Sequence, residues 1–251
     1  MPKVLQFGAT GQVGQALVAA AGRAVTLTVL SRAEVDLTDA AAIRAAIRAA
    51  NCDLVWNAAA FTLVDRAEAE PDAAFAVNAA APAAMAAACA ERDLPFVHLS
   101  TDSVFNGQTG RPYVETDTAE PISVYGRSKL AGEQGALAHP RTTVLRVSWV
   151  FSPYGRNYVS FMLNLGRTRE VLQVVADQFG SYDFARAAIA RDPLTRARLE
   201  PTTQGAFVEA AARPPRSPLD SSKLAATFGF TPQPWKPAVE RVADQLVRNG
   251  I

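Results

Sequence analysis

VLQFGATGQVG, residues 4–14, joins a short apolar run to glycines spaced G-x-x-G-x-x-G, and a helical pattern opens directly behind them. That order decides the fold. Gly8 permits a tight turn, Gly11 lets backbone approach a pyrophosphate, and Gly14 lets helix and strand pack closely. The helix start turns the free N–H groups around Gln12 and Val13 towards an anionic ligand. A glycine-rich connection with no ligand is the plainer alternative, and the strand before and helix after count against it. The turn predicts a dinucleotide site.

Working outward, β-rich runs alternate with alanine-rich helical patterns as far as residue 150. VTLTVL (25–30) precedes a helix near 39–50, DLVWNAA (53–59) one near 72–91, PFVHLSTD (95–102) one at 124–138, and TTVLRVSWV (142–150) closes the series. This spacing predicts an α/β fold, a Rossmann-type doubly wound parallel sheet covered on both faces. The strands end in small or polar residues that line the ligand crevice of such a sheet. Beyond 150 the elements shorten, and glycine, proline and arginine become frequent (SPYGRN, RPPRSP, TPQPW). The expected division is therefore a dinucleotide-binding domain over 1–150 and a smaller, irregular C-terminal substrate lobe over 151–251.

Bulk properties exclude several classes. With 25 basic and 24 acidic side chains the formal charge is +1, so neither nucleic acid nor an anionic membrane is an expected partner. Cys52, Cys89, His98 and His139 have no metal spacing, and no metal site is expected from them. The alanine-rich stretch broken by Asn78 and Pro82 reads as a buried helix rather than a membrane span. MPKVLQFGATG enters a strand at once, without the apolar core of a signal peptide, so the expectation is a soluble, cytoplasmic protein.

The end of the second strand bears on which dinucleotide is held. Ser31-Arg32 stands there with no acid until Glu34, which favours a 2′-phosphate and hence NADPH, with NADH left open. Arg32 can equally be a solvated turn residue. Asp36-Leu37 suits the adenine edge, or Asp36 serves a turn or helix cap. Asn57, Ala58 and Ala59 leave room for the cofactor, and Thr62 could bond a phosphate or ribose.

VYGRSKLAGE (124–133) places Tyr125 and Lys129 one helical turn apart, facing the same way. A cation near a phenol lowers its pKa from about 10, which suits a general acid that protonates a carbonyl oxygen as hydride arrives. Thr101, ending the strand FVHLST, can give that oxygen a second hydrogen bond. His98 in the same strand reads as a core residue, Trp56 and Trp235 as packing, and Glu68, Glu70 and Asp72 as helix N-terminal charge bias.

Together these residues resemble the extended short-chain dehydrogenase/reductase superfamily and, within it, the dTDP-4-dehydrorhamnose reductase family. The resemblance runs through GATGQVG, WNAAAFTLVDRAE (56–68), LSTDSVFNG (99–107), SVYGRSKLAGE (123–133), LRVSWVFSPYGRNYV (145–159), VVADQFGS (174–181) and ARPPRSPLD (212–220). It implies NADPH-dependent reduction of the C4 ketone of a dTDP-sugar, with Thr101, Tyr125 and Lys129 catalytic and Asp102 beside them. Lys129 would also hold the nicotinamide ribose. Trp149, Asn157 and Gln178, with Arg213 or Arg216 for the pyrophosphate, would bind the nucleotide-sugar. A homodimer and a Mg2+ ion at an acidic subunit contact are left open, the ion without a motif.

The chain departs from that pattern. Ser103 and Asn106 stand where STDYVFDG has tyrosine and aspartate, and Arg216 replaces an asparagine, which leaves the sugar open. Gly180-Ser181 runs straight into Tyr182-Asp183-Phe184 without an expected helix and strand. Either this is a deletion or a segment is missing between 181 and 182, and the second is the expectation. Alternatives in the same fold are another nucleotide-sugar reductase, a dehydratase or epimerase, or a non-catalytic NADP-binding regulatory subunit. Ser103, where dehydratases carry glutamate, counts against dehydration.

Overall fold

Alternating apolar runs become five parallel strands in the computed structural model, which describes residues 1–207 and 210–251. They are β1 (Lys3–Phe7), β2 (Thr26–Leu30), β3 (Leu54–Asn57), β4 (Phe96–Thr101) and β5 (Thr142–Val147), in the order β2-β1-β3-β4-β5. The chain therefore reverses its winding direction between β1 and β3, the point at which open parallel sheets bind ligands. Register aligns the strand ends, with Phe7 opposite Leu30 and Asn57, Asn57 opposite His98, and Thr101 opposite Val147.

Helices cover the sheet where the pattern places them. Helix α1 (Gln12–Ala21) follows the glycine turn. Helix α2 (Ala40–Ala49) is capped by Asp39, whose carboxylate accepts the Ala41 and Ala42 N–H groups. Ile43 and Ile47, one turn apart on α2, are fully buried with Leu5, Phe7, Val55, Met85 and Phe96. Each isoleucine contributes about 1.5–3 kcal/mol of burial free energy. After α3 (Val64–Ala69), the expected single helix near 72–91 is three pieces: α4 (Pro71–Phe75), one π turn (Ala76–Ala80) and α5 (Ala81–Glu91). This run is long and apolar enough to cross a membrane, yet Ala81, Met85, Ala88 and Cys89 are buried in the protein core. Helix α6 (Val124–Leu137) packs against that run and against β4 and β5.

Two compact units result. The first holds all five strands and α1–α6, together with a short run ending at Arg213. The second begins at Trp149 and also takes Gly107–Asp117. It contains α7 (Tyr158–Thr168), β6 (Val171–Val175), α8 (Ser181–Ile189), β7 (Arg198–Thr202), α9 (Ser222–Phe228) and α10 (Trp235–Arg248), with β6 and β7 paired in parallel. Its core joins Val159, Leu163, Phe184, Val239 and Leu246.

The expected break between 181 and 182 falls inside a helix. Both residues lie in α8, and Phe184 N–H donates to the Gly180 carbonyl at 2.9 Å across the junction.

Candidate active site

The glycine turn is built as its spacing requires. Gly8 sits at φ +96°, and a Cβ there would meet Ala59 N at 2.8 Å. A Cβ on Gly14 would meet the Gly8 carbonyl at 2.0 Å, so only glycine lets α1 lie this close to β1. Gly11, the N-cap of α1, has open space where its side chain would be, the gap a phosphate needs. The residues fit a dinucleotide. Gln6, which sequence reasoning passed over, braces the turn from below. It is fully buried, and its amide donates to the Gly8 and Gly14 carbonyls at 3.0 and 3.1 Å. A glutamine inside an apolar strand run was the available signal.

Other expected cofactor residues are more committed than the sequence suggests. Ser31 N–H donates to Glu34 at 2.7 Å, a bond that holds the Glu34 carboxyl below its usual range, so an acid does reach the end of β2. Arg32 is exposed. Asp36 accepts from the Thr38 N–H and hydroxyl, both at 2.9 Å, which is the turn role, and Leu37 packs against the core. Asn57 is buried and turned inward, accepting the Ala59 N–H at 3.0 Å and meeting His98 Nδ1 at 3.1 Å. Ala58 and Ala59 wall the glycine turn, while Thr62 is exposed.

Tyr125 and Lys129 are fixed by the start of α6. Ser123 accepts the Gly126 N–H at 3.1 Å, and Glu68 accepts the Val124 N–H at 2.7 Å. Glu68 thus does more than bias charge, because it reaches from α3 to cap α6. The Thr101 hydroxyl donates to Asp102 Oδ1 at 3.1 Å, Ser148 donates to Asp102 Oδ2 at 2.8 Å, and the Tyr125 phenol lies beside Thr101. Thr101, Asp102 and Ser148 are therefore one hydrogen-bonded group at the end of β4, with Tyr125 beside it.

The expected electrostatics of the pair are reversed. Tyr125 is pushed up to about 12, first by burial and then by the Asp102 charge, with the Thr101 bond pulling the other way. Lys129 does not lower it, because its ammonium is turned to the Leu99 carbonyl at 2.6 Å. Lys129 is itself brought down to about 8 by burial, against the pull of Glu133. The phenol keeps its proton at neutral pH, the state a general acid starts from.

Asn78 is a second residue the sequence did not mark. Buried in the π turn, it accepts the Phe61 N–H at 2.8 Å and donates to the Phe61 carbonyl and Ser128 Oγ, both at 3.0 Å. Ser128 in turn donates to the Tyr125 carbonyl at 2.8 Å. An asparagine and a proline interrupting an alanine helix were the signal, and π turns favour functional sites.

The expected substrate residues divide between the units. Arg213, in the first, is ion-paired with Asp65 at 2.6 Å, which lowers the Asp65 carboxyl. Trp149, Asn157, Gln178 and Arg216 belong to the second. Trp149, at φ +51°, stacks on Phe184 at 4.8 Å and meets the edge of Tyr158. Asn157 caps α7 and donates to the Ser152 carbonyl at 2.8 Å. Gln178 accepts from Ser181 at 3.3 Å, and exposed Arg216 lies over the Phe179 ring at 4.7 Å. Among the described residues, no cluster of histidine, cysteine or carboxylates could hold a metal ion.

The family model described as "RmlD substrate binding domain" matches residues 2–181 and 181–248. The chain belongs to this family. It is 36% identical to the dTDP-4-dehydrorhamnose reductase of Sinorhizobium fredii, covering 97% of each protein, and 31% identical to that of Escherichia coli, again over 97% of each. A dTDP-4-dehydrorhamnose reductase from Clostridium acetobutylicum superposes with a TM-score of 0.92 at 30% identity, covering 98% of this chain and 99% of that one. The Bacillus anthracis enzyme, solved in complex with NADP, superposes at 0.90 with 28% identity, covering 96% and 98%. The two stretches matched by the RmlD model meet at Ser181, the junction where the sequence departs from the family pattern. The alignment with the Sinorhizobium relative spans 287 residues, more than the 251 of this chain, so that relative carries residues with no counterpart here.

Proposed function

We propose that this protein is an NADPH-dependent reductase that converts the C4 ketone of dTDP-4-dehydro-L-rhamnose to the alcohol of dTDP-L-rhamnose. The observation that carries the reading is the placement of Tyr125 beside Thr101 at the end of a strand whose sheet also carries the built glycine turn. The family membership and the NADP-bound relative support it.

The first unit would hold the cofactor and the second the sugar nucleotide. Gly8, Gly11 and Gly14 would seat the pyrophosphate, and Arg32 the 2′-phosphate. The nicotinamide, when bound, supplies the hydride. Thr101 and Tyr125 orient the ketone oxygen by hydrogen bonds, and Tyr125 delivers the proton to it as the alkoxide forms. Lys129, held by the Leu99 carbonyl, would bind the nicotinamide ribose. The Thr101 hydroxyl, which donates to Asp102 at rest, would turn its one proton to the ketone oxygen, while Ser148 steadies Asp102. We also take the protein to be cytoplasmic.

A second substrate within the same chemistry has one observation behind it. A dTDP-4-keto-6-deoxy-D-glucose reductase from Streptomyces niveus is 37% identical over 74% of this chain and 67% of that protein. Purified protein supplied with either keto-sugar and NADPH separates the readings. Turnover of the rhamnose precursor at the higher kcat/KM supports ours. Turnover of only the other sugar, or of neither by folded protein that binds NADPH, overturns it.

A further inference from the structure

Glu34 stands beside the glycine turn, and its place there is fixed. The Leu30 carbonyl, which ends β2, accepts the Gly8 N–H at 3.1 Å, so the end of β2 adjoins that turn. Beyond it the chain folds straight back on itself. The Ser31 carbonyl accepts the N–H groups of Glu34 and Val35, both at 3.1 Å, and the Ser31 N–H donates to the Glu34 carboxylate at 2.7 Å. Val35 is buried in the core beside β1 and anchors the loop. Glu34 is thereby held against the first residue after β2, 20 residues beyond Gly14.

That position has a chemical meaning in a sheet of this winding. The adenosine ribose of a dinucleotide lies at the end of the second strand, where a carboxylate suits the 2′-OH of NADH and an arginine the 2′-phosphate of NADPH. A carboxylate has only lone pairs to offer, so it accepts from a hydroxyl and repels a phosphate. The Ser31 N–H, a donor that a phosphate could use, is already taken by Glu34. Within residues 31–38 Arg32 is the one cation, set against Glu34 and Asp36, so the local charge is net negative. Arg32 is exposed, while Asp36 is committed to Thr38.

We propose that Glu34 is a specificity-determining residue: its carboxylate accepts the 2′-OH of NADH, opposes the 2′-phosphate of NADPH, and so works against Arg32 in setting how far NADPH is preferred. The proposal rests on the reading of the glycine turn as a dinucleotide site. The two side chains pull the preference in opposite directions from neighbouring positions in one turn.

Fluorescence titration of the whole chain with NADPH and with NADH tests this without requiring turnover. Glu34→Gln removes the charge and keeps an acceptor for the Ser31 N–H. The ratio of the two affinities is expected to move about fivefold towards NADPH, the size set by exposed charges a few ångströms apart, and to move less as salt is raised. A ratio that stays within about twofold, or moves towards NADH, overturns the proposal. That includes the case in which both affinities fall together, as they would if Glu34 only shaped the turn. If Glu34→Gln does not fold, carbon-13 NMR of the Glu34 carboxyl in the wild type decides. By reciprocity NADP+ should raise its titration midpoint and NAD+ should not, and a midpoint that NADP+ leaves unmoved overturns the proposal. Binding of neither dinucleotide by folded wild type sinks the reading of the glycine turn and the proposal with it. Binding of both with an unmoved ratio sinks the proposal alone.

Discussion

Replacing Asn78 with alanine removes three hydrogen bonds from a side chain that is 1% exposed. A buried bond contributes about 1 kcal/mol net, and groups left unpaired cost a further 1–3 kcal/mol. The Phe61 N–H and carbonyl would both lose this partner. The expected loss is therefore about 3–4 kcal/mol, large against the 5–15 kcal/mol total of a typical domain. It is read as a lowered urea midpoint with unchanged slope. The variant also loosens Ser128, which bonds the Tyr125 carbonyl, so kcat is expected to fall alongside stability. Asn51→Ala, at an exposed position, is the control and should move stability by less than about 0.5 kcal/mol. A loss below about 1 kcal/mol for Asn78→Ala would refute the claim that this asparagine pins the catalytic helix.

Two further outcomes follow from the geometry. Gly14→Ala places a Cβ 2.0 Å from the Gly8 carbonyl, so the turn must open; NADPH affinity by fluorescence titration is expected to fall at least about tenfold, and an unchanged affinity contradicts the fit. Lys129, lowered from 10.5 to about 8, leaves the folded protein with fewer protons than the unfolded chain between those values, so this group's contribution to stability rises with pH across that window. Stability of the wild type relative to Lys129→Met should rise by on the order of 3 kcal/mol from pH 8 to 10.5, and a flat or falling difference would show that Lys129 is not depressed.

The parallel sheet was legible because apolar runs of strand length alternate with alanine-rich helical stretches, and GATGQVG fixes where the first strand meets its helix. Tyr125 and Lys129 were legible from helical spacing, but their electrostatics were not. The sequence puts a lysine near a phenol; only the fold shows that Leu99 holds the ammonium while burial and Asp102 raise the phenol. Glu34 was read as too late to matter, because a tight turn that folds it back onto Ser31 has no pattern of its own. Asn157, which the resemblance places near the nucleotide-sugar, also caps α7, a role that favours the same side chain and that the sequence left unread. Gln6, Asn78 and Glu68 act through partners distant in sequence, which spacing within one element does not reveal.

The central claim is that Tyr125 gives the proton to the ketone. Single-turnover oxidation of bound NADPH by dTDP-4-dehydro-L-rhamnose, compared between wild type and Tyr125→Phe, tests it most directly. The account predicts a fall of about 10²–10⁴-fold in the chemical step with NADPH affinity unchanged. A Tyr125→Phe protein that reduces the sugar at the wild-type rate would contradict it.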